Sequence, residues 1–169
     1  MKNKKNILLA FALSFFLGCC IVLPNIIINK GIFDLVGDFN YQQIPFLKYI
    51  SNSIRSGDIL WSWTNGLGSD FISTFSFYNL FSPFNIIIYI FGANCVEYLV
   101  GPMFILKYAI AGTSSYLFLS RYVKKPQNAL LGSILYAFSG FQLTNTLFYH
   151  FHDFVALFPF LLLNILFYH

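Results

Sequence analysis

The segment from Ile7 to Ile28 contains no charged side chain and follows the basic N-terminal residues Lys2, Lys4 and Lys5. A helix over this segment would be roughly 33 Å long at about 1.5 Å per residue, enough to cross a hydrocarbon core of about 30 Å. Basic residues beside a span favour the cytoplasmic side. We therefore predict a membrane-spanning helix with a cytoplasmic N-terminus, followed by a segment on the outer face.

The composition excludes an ordinary soluble domain, because only 9% of the residues are charged and 57% are hydrophobic, whereas soluble domains average about 25% charged residues. The net charge of +4 does not indicate nucleic-acid binding, because the basic residues form no stripe. They cluster at the N-terminal tail and at residues 121–125, as in cytoplasmic loops of multi-pass membrane proteins. The three cysteines are too few for a disulfide framework and lack metal-ligand spacing.

We expect an all-α fold, a polytopic transmembrane helical bundle that forms one membrane domain over residues 1–169. Spans are predicted near residues 7–28, 98–120, 128–147 and 154–168. The basic loop lies between the second and third spans, where Pro126 is expected to stop the preceding helix. The last apolar run ends at His169 and is short of the roughly 20 residues that a crossing needs. The chain is accordingly expected to be the N-terminal fragment of a longer protein, with an incomplete bundle.

Residues 30–82 are too polar and too rich in glycine to cross a membrane, and a long outer loop is predicted over residues 30–97. An interfacial helix is expected near residues 38–53, where apolar residues recur at three- and four-residue steps: Ile44, Leu47, Ile50 and Ile54. Lys48 and Arg55 would then face water. Residues 84–94 are apolar but short, which indicates a partial or interfacial helix.

Asp34 and Asp38 lie four residues apart directly after the first span. Both carboxylates would share one side of the chain in a helix or in an extended segment. Two nearby carboxylates can raise one pKa toward neutrality or bind a cation. The alternative is a solvated loop with acidic residues near a helix start, and the spacing leaves both interpretations open.

Three ordered motifs and two later positions carry a resemblance to a known family. The motifs are Asp38-x3-Gln42-x2-Pro45-Phe46, then Leu60-Trp61-Ser62-Trp63-x2-Gly66-Leu67-Gly68-Ser69-Asp70-Phe71, then Ser82-Pro83-Phe84-Asn85; the later positions are Lys107 and Asp153 with Phe158-Pro159. Together they resemble the N-terminal region of the bacterial YfhO-like membrane proteins. The resemblance covers nearly the whole chain.

The YfhO-like family is similar to the GT-C class of membrane glycosyltransferases, which use a polyprenyl-phosphate sugar as donor on the outer face. The resemblance implies transfer to a cell-envelope polymer of the teichoic-acid type. It also implies that Asp38, in the first outer loop, serves as general base or metal-site residue. Asp34 is the nearest acidic partner, so Asp34 is the second candidate catalytic residue. A divalent cation is a possible cofactor, and its ligands are unknown.

Lys107 lies about ten residues into the second predicted span, where a charge usually faces a bundle interior. We predict that it holds the donor phosphate or pairs with an acidic group such as Glu97 or Asp38. The alternative is a lysine whose ammonium reaches the interface. His150, His152 and Asp153 cluster at the outer end of the third span. They either bind a metal or cap the fourth helix, with Asp153 as N-cap.

Other candidate substrate-binding residues are Gln42, Trp61, Trp63 and Asp153. Gln42 could hydrogen-bond a sugar hydroxyl or satisfy loop backbone. Trp61 and Trp63 could stack on sugar rings or belong to an aromatic belt at the headgroups. Asp153 is a candidate because its position matches the family pattern.

The sequence predicts a glycosyltransferase in a bacterial cell membrane that binds membrane lipid, a polyprenyl-phosphate sugar donor and an envelope glycopolymer acceptor. One alternative is a non-enzymatic transporter or flippase-like component of an envelope pathway, which would pass a charged substrate through the same polar groups. Another is an inactive truncated product. Polar residues concentrated on the predicted outer face favour the enzyme, as does the lack of a pair of broken helices in the predicted pattern.

Overall fold

The computed structural model describes residues 2–167, with side chains for residues 4–165. The architecture is all-α, as predicted: four long or medium helices form a bundle, and short helices and one hairpin connect the first two. The long and medium helices are α1 (Lys2–Ile28), α5 (Val96–Leu119), α6 (Pro126–Ala137) and α8 (Phe151–Phe167). The connecting elements are α2 (Ile44–Ser56), β1 (Trp61–Ser62), β2 (Ser69–Asp70), α3 (Phe71–Phe75) and α4 (Ile86–Phe91), and α7 (Gly140–Thr144) lies between α6 and α8.

Helices α1 and α5 are long and apolar enough to cross a membrane, whereas α8 is a shorter apolar helix. The two long helices run antiparallel, with small residues where the backbones come close. A Cβ on Gly18 would lie 3.3 Å from the Tyr108 Cβ, and one on Gly101 would lie 2.7 Å from the Ile26 Cδ1. Close approach over small residues replaces hydrophobic driving force in helix pairs that lie in lipid.

The second predicted span at 98–120 corresponds to α5, but the third, at 128–147, is not one helix. Helix α6 starts two residues earlier, because Pro126 occupies its first position, where a missing amide hydrogen has no cost. The helix ends at Ala137, and α7 follows after a break at Phe138 and Ser139. The crossing of a membrane by α6 and α8 stays a prediction, and residue 168 lies outside the described residues.

The loop between α1 and α5 packs on the end of the bundle, and α2 buries the apolar face that its sequence pattern indicates. Ile44, Leu47 and Ile50 are buried, with Leu47 and Ile50 fully so. Ile54 is 38% exposed, because α2 ends two residues later at Ser56, before Gly57, which adopts the left-handed conformation. A π-helical segment, Phe39–Gln43, precedes α2, and short 3-10 turns flank α4. Helix α4 therefore covers only part of residues 84–94.

Candidate functional site

The Lys107 side chain is fully buried about halfway along α5, roughly 16 Å from Val96 at 1.5 Å per residue. Its Nζ lies 2.5 Å from the Asp153 Oδ1 in an ion pair and donates a hydrogen bond of 2.9 Å to the Tyr149 carbonyl oxygen. The same ammonium lies 3.0 Å from the centroid of the Tyr149 ring. Carboxylate, carbonyl and aromatic face together enclose the charge, as a buried cation requires.

This arrangement corrects the predicted partners of Lys107. Glu97 pairs instead with Lys48, with 2.6 Å between Nζ and Oε1 on the half-exposed surface. The Asp38 carboxylate makes no hydrogen bond or ion pair within residues 2–167. The side chain of Lys107 does not extend to an interface either, because it is fully buried. The sequence does not indicate Asp153 as the partner of Lys107, because no local pattern predicts which of two distant helices pack together.

Asp153 lies in the first turn of α8, which begins at Phe151, so it is not the N-cap that the sequence predicted. The histidines beside it have separate partners. The His150 Nδ1 lies 3.1 Å from the Gln43 Oε1, and the His152 Nε2 lies 3.3 Å from the Asn145 carbonyl oxygen. No group of three or more His, Cys, Asp or Glu side chains in the described part of the chain could hold a metal ion.

A chain of hydrogen bonds joins the residues around the ion pair to the loop between α1 and α5. The Tyr149 hydroxyl donates to the Asn85 Oδ1 at 3.0 Å, and the Asn85 Nδ2 donates to the Asn79 carbonyl oxygen at 3.1 Å. The Asn79 Nδ2 donates to the Gln43 Oε1 at 3.4 Å, and the Gln43 Nε2 donates to the Gln42 Oε1 at 3.3 Å. Sequence reasoning singled out Gln42 but missed these amides, because buried amides in a loop have no periodic signature.

A cavity of about 390 Å³ opens beside this network. Its polar wall contains Asn79, Ser82, His150 and Asp153, and its apolar wall is formed by the phenylalanines and leucines of α8 and of the segment before α4. The volume lies within the usual range for small-ligand pockets. Lys107 does not line the cavity; its ammonium lies behind the carboxylate of Asp153.

Asp34 and Asp38 lie at the end of α1, apart from the cavity. The Asn40 side-chain amide donates a short hydrogen bond to the Asp34 Oδ1, and Asn25 binds the Asp34 backbone at 2.7 and 2.9 Å. Asp34 and Glu97 line two neighbouring cavities of about 230 and 480 Å³. Asp38 is exposed and immediately precedes the π-helical segment.

Trp61 and Trp63 form a small exposed surface on the β1–β2 hairpin. The rings pack edge to face with centroids 5.7 Å apart, and they are 53% and 77% exposed. Gly68 closes the turn at a positive φ of 106°, and a Cβ there would lie 3.0 Å from the Trp63 ring. The glycine is needed for this close approach as well as for the turn.

An all-helical bundle with two apolar helices of membrane-spanning length and a buried charge pair between its helices defines a helical membrane protein. The chain belongs to the family of the bacterial membrane protein YfhO, whose family model matches residues 10–166. No curated protein matches the chain, and no solved structure does.

Proposed function

We propose that this YfhO-family protein takes part in glycosyl transfer from a polyprenyl-phosphate sugar to an envelope polymer of the teichoic-acid type on the outer face of the membrane. Asp38 is the proposed general base. It would accept the proton of an acceptor hydroxyl as that oxygen bonds to the sugar carbon, while the bond from that carbon to the phosphate oxygen breaks and polyprenyl phosphate leaves. The base needs to come within about 3 Å of the hydroxyl.

The observation that supports this proposal is which of the six acidic residues of the chain have a bonding partner. Asp34, Asp70, Glu97 and Asp153 are each engaged by a hydrogen-bond donor or a lysine. Only Asp38 and Asp58 have carboxylates without a partner among the described residues. Asp38 follows a membrane-length helix and precedes a helix start, where a carboxylate is favoured; Asp58 follows the other end of α2.

The remaining site residues have supporting roles in the proposal. Asp34 would help to hold the acceptor, since it lines both cavities at the end of α1. Trp61 and Trp63 offer exposed ring faces for sugar stacking, and Gln42 offers an amide. Lys107 would act on substrate only through Asp153, because its own ammonium is enclosed. The described carboxylates form no cation-ligand set, so no step is assigned to a metal.

Replacing Asp38 with asparagine is expected to abolish the sugar modification while the protein level stays unchanged, since the amide cannot accept the proton. The measurement is envelope-glycan analysis of cells that express the longest natural form of the protein. Asp58→Asn is the matched control, because it removes the other unpartnered carboxylate beside α2. Full modification in Asp38→Asn cells would reject Asp38 as the base.

The orientation of the chain is also part of the proposal. In a variant without Cys19, Cys20 and Cys95, a cysteine at Val36, which is 86% exposed, is expected to react with a membrane-impermeant maleimide from outside intact cells. A cysteine at Lys124, in the loop between α5 and α6, is expected to react only after lysis. The reverse labelling pattern would place Asp38 in the cytoplasm and remove the basis for outer-face transfer.

A transporter is the second candidate, favoured by the break after Ala137 and by the ion pair about halfway along α5. Interrupted helices and buried charges mark substrate sites in transporters. One measurement in Asp38→Asn cells distinguishes a glycosyltransferase from a transporter. A changed distribution of lipid-linked sugar across the membrane, with transfer preserved, would favour the transporter.

A further inference from the structure

Unsatisfied polar atoms are concentrated in the wall of the 390 Å³ cavity described above. Of the ten buried side-chain nitrogen and oxygen atoms without a hydrogen-bond partner among the described residues, four belong to cavity-lining residues. One of the four, the Asp153 Oδ1, is paired with the Lys107 ammonium; the other three are the Asn79 Oδ1, the Ser82 Oγ and the His150 Nε2. Buried polar atoms are normally paired, so these three atoms indicate a wall that can bind a polar ligand.

The hydrogen-bonding character of these atoms follows from their neighbours. The Asn79 Nδ2 is used by Gln43, which leaves a carbonyl oxygen toward the cavity. The His150 Nδ1 faces an oxygen of Gln43, so it carries the ring proton, and the Nε2 is an acceptor. Burial lowers the pKa of His150 and the Lys107 ammonium lowers it further, so the ring is neutral at pH 7.

The cavity therefore offers two unpaired acceptors, on Asn79 and His150, and the Ser82 hydroxyl, and it fits a ligand that is rich in hydrogen-bond donors. Lys107 and Asp153 form a neutral pair, so the wall has no net charge to balance a buried phosphate or a buried cation. Neutral hydroxyl groups fit this wall without an uncompensated buried charge.

The apolar wall of the cavity indicates how a bound ligand would be oriented. Leu157, Phe158 and Leu161 lie three, four and seven residues after Phe154 along α8, so the four side chains form one stripe on the helix. The stripe is about 10 Å long at 1.5 Å per residue. Phe154 and Leu161 are 64% and 54% exposed. The stripe begins beside His150 and Asp153 and leads away from them, so a chain attached to a head group at the polar wall would lie along it.

We propose that this cavity binds a single-chain lipid with an uncharged polyhydroxyl head group, with the hydroxyls on Asn79, Ser82 and His150 and the chain along α8. The site lies apart from Asp38, and the proposal concerns binding alone, so it does not depend on glycosyl transfer. The neutral head group distinguishes this lipid site from a site that would bind the phosphate of a lipid carrier.

The test uses the purified full chain in lipid nanodiscs and three photoreactive probes with the same eight-carbon chain. The probes are an octyl β-glucoside, an octyl phosphate and an octyltrimethylammonium ion, each with a diazirine in the chain. The glucoside is expected to label residues 154–161 at about tenfold lower concentration than either charged probe, because each charged head group meets at least about 1.4 kcal/mol of unfavourable burial. Labelled peptides are mapped by mass spectrometry.

Two variants and one control identify the site. Ser82→Ala is expected to weaken glucoside labelling about fivefold, the loss of one neutral hydrogen bond. Ser51→Ala is the matched control, because Ser51 is also buried with an unpartnered Oγ but lies outside the cavity. Leu161→Trp, at an exposed position, is expected to block the apolar stripe without disturbing the fold.

Equal labelling by the three probes, or stronger labelling by a charged one, would overturn the proposal. So would labelling that survives Leu161→Trp or responds equally to Ser82→Ala and Ser51→Ala. Asp38→Asn is expected to leave the labelling unchanged. A protein that binds the glucoside but shows no Asp38-dependent transfer therefore contradicts only the proposed function.

Discussion

Replacing Lys107 with methionine is expected to lower the free energy of unfolding by about 3–5 kcal/mol, because the Asp153 carboxylate then stays buried without its cation. The Asp153 side chain is only 16% exposed, so water cannot readily replace the ammonium. The measurement is the unfolding transition in mixed micelles with increasing denaturing detergent. Lys48→Met is the matched control and is expected to cost at most about 1 kcal/mol, since its pair with Glu97 is more than one-third exposed.

A double variant separates the charge from the packing. Lys107→Met with Asp153→Leu removes both charges, and it is expected to recover most of the stability lost in Lys107→Met, because apolar side chains of similar size can replace a buried pair at little cost. Recovery would also show that Lys107→Met alone is a poor test of catalysis, since loss of activity would follow from misfolding. A double variant as unstable as Lys107→Met would contradict a simple ion-pair role.

Replacing Gly112 with alanine is expected to destabilise the contact between α1 and α5 by about 1–3 kcal/mol, the usual cost of overpacking. A Cβ at this position would lie 1.9 Å from the Ser14 Oγ and 2.7 Å from the Ser14 Cβ. Rotation of the hydroxyl relieves the first contact but not the second, so the helices must separate. The same unfolding measurement applies.

A second substitution, at Ser14, tests whether the loss in Gly112→Ala comes from the clash with that side chain. Ser14→Gly removes both clashing atoms, so Gly112→Ala with Ser14→Gly is expected to be more stable than Gly112→Ala alone. Gly140→Ala is the control, because a Cβ there has no neighbour within 4 Å. Alanine has a higher helix propensity than glycine, so Gly140→Ala is expected to cause no loss of stability. Equal losses in Gly112→Ala and Gly140→Ala would contradict a steric clash specific to the helix contact.

The features predicted correctly from the sequence are those with a local signal. An uncharged run and a basic loop predict α1 and α5, and the spacing of Ile44, Leu47 and Ile50 predicts the buried face of α2. The break in the third predicted span was missed, because residues 128–147 contain no charged side chain and hydropathy does not reveal where a helix ends. Ser139 lies in the break and Gly140 follows it, and together they were the available turn signal.

The candidate site was predictable only in part, because its contacts join distant segments. Lys107 and Asp153 were both selected from the sequence, but their pairing depends on how α8 packs on α5. The cavity and its unsatisfied atoms had no signal at all: Asn79 and Ser82 lie in an irregular segment where polar residues are expected on any surface. Asp38 and Asp34 are adjacent to α1 as predicted, and their catalytic roles stay predictions.

The central position of α5 has a consequence for the order of assembly during synthesis. Helices α1, α6 and α8 all pack against α5, and α5 is completed only after the long loop has left the ribosome. Until then α1 lacks its contact with α5, and neither later helix has a docking surface. We therefore expect α1 to remain accessible to membrane chaperones and proteases until residue 119 has emerged, which makes the interval between the two long helices the vulnerable stage of biogenesis.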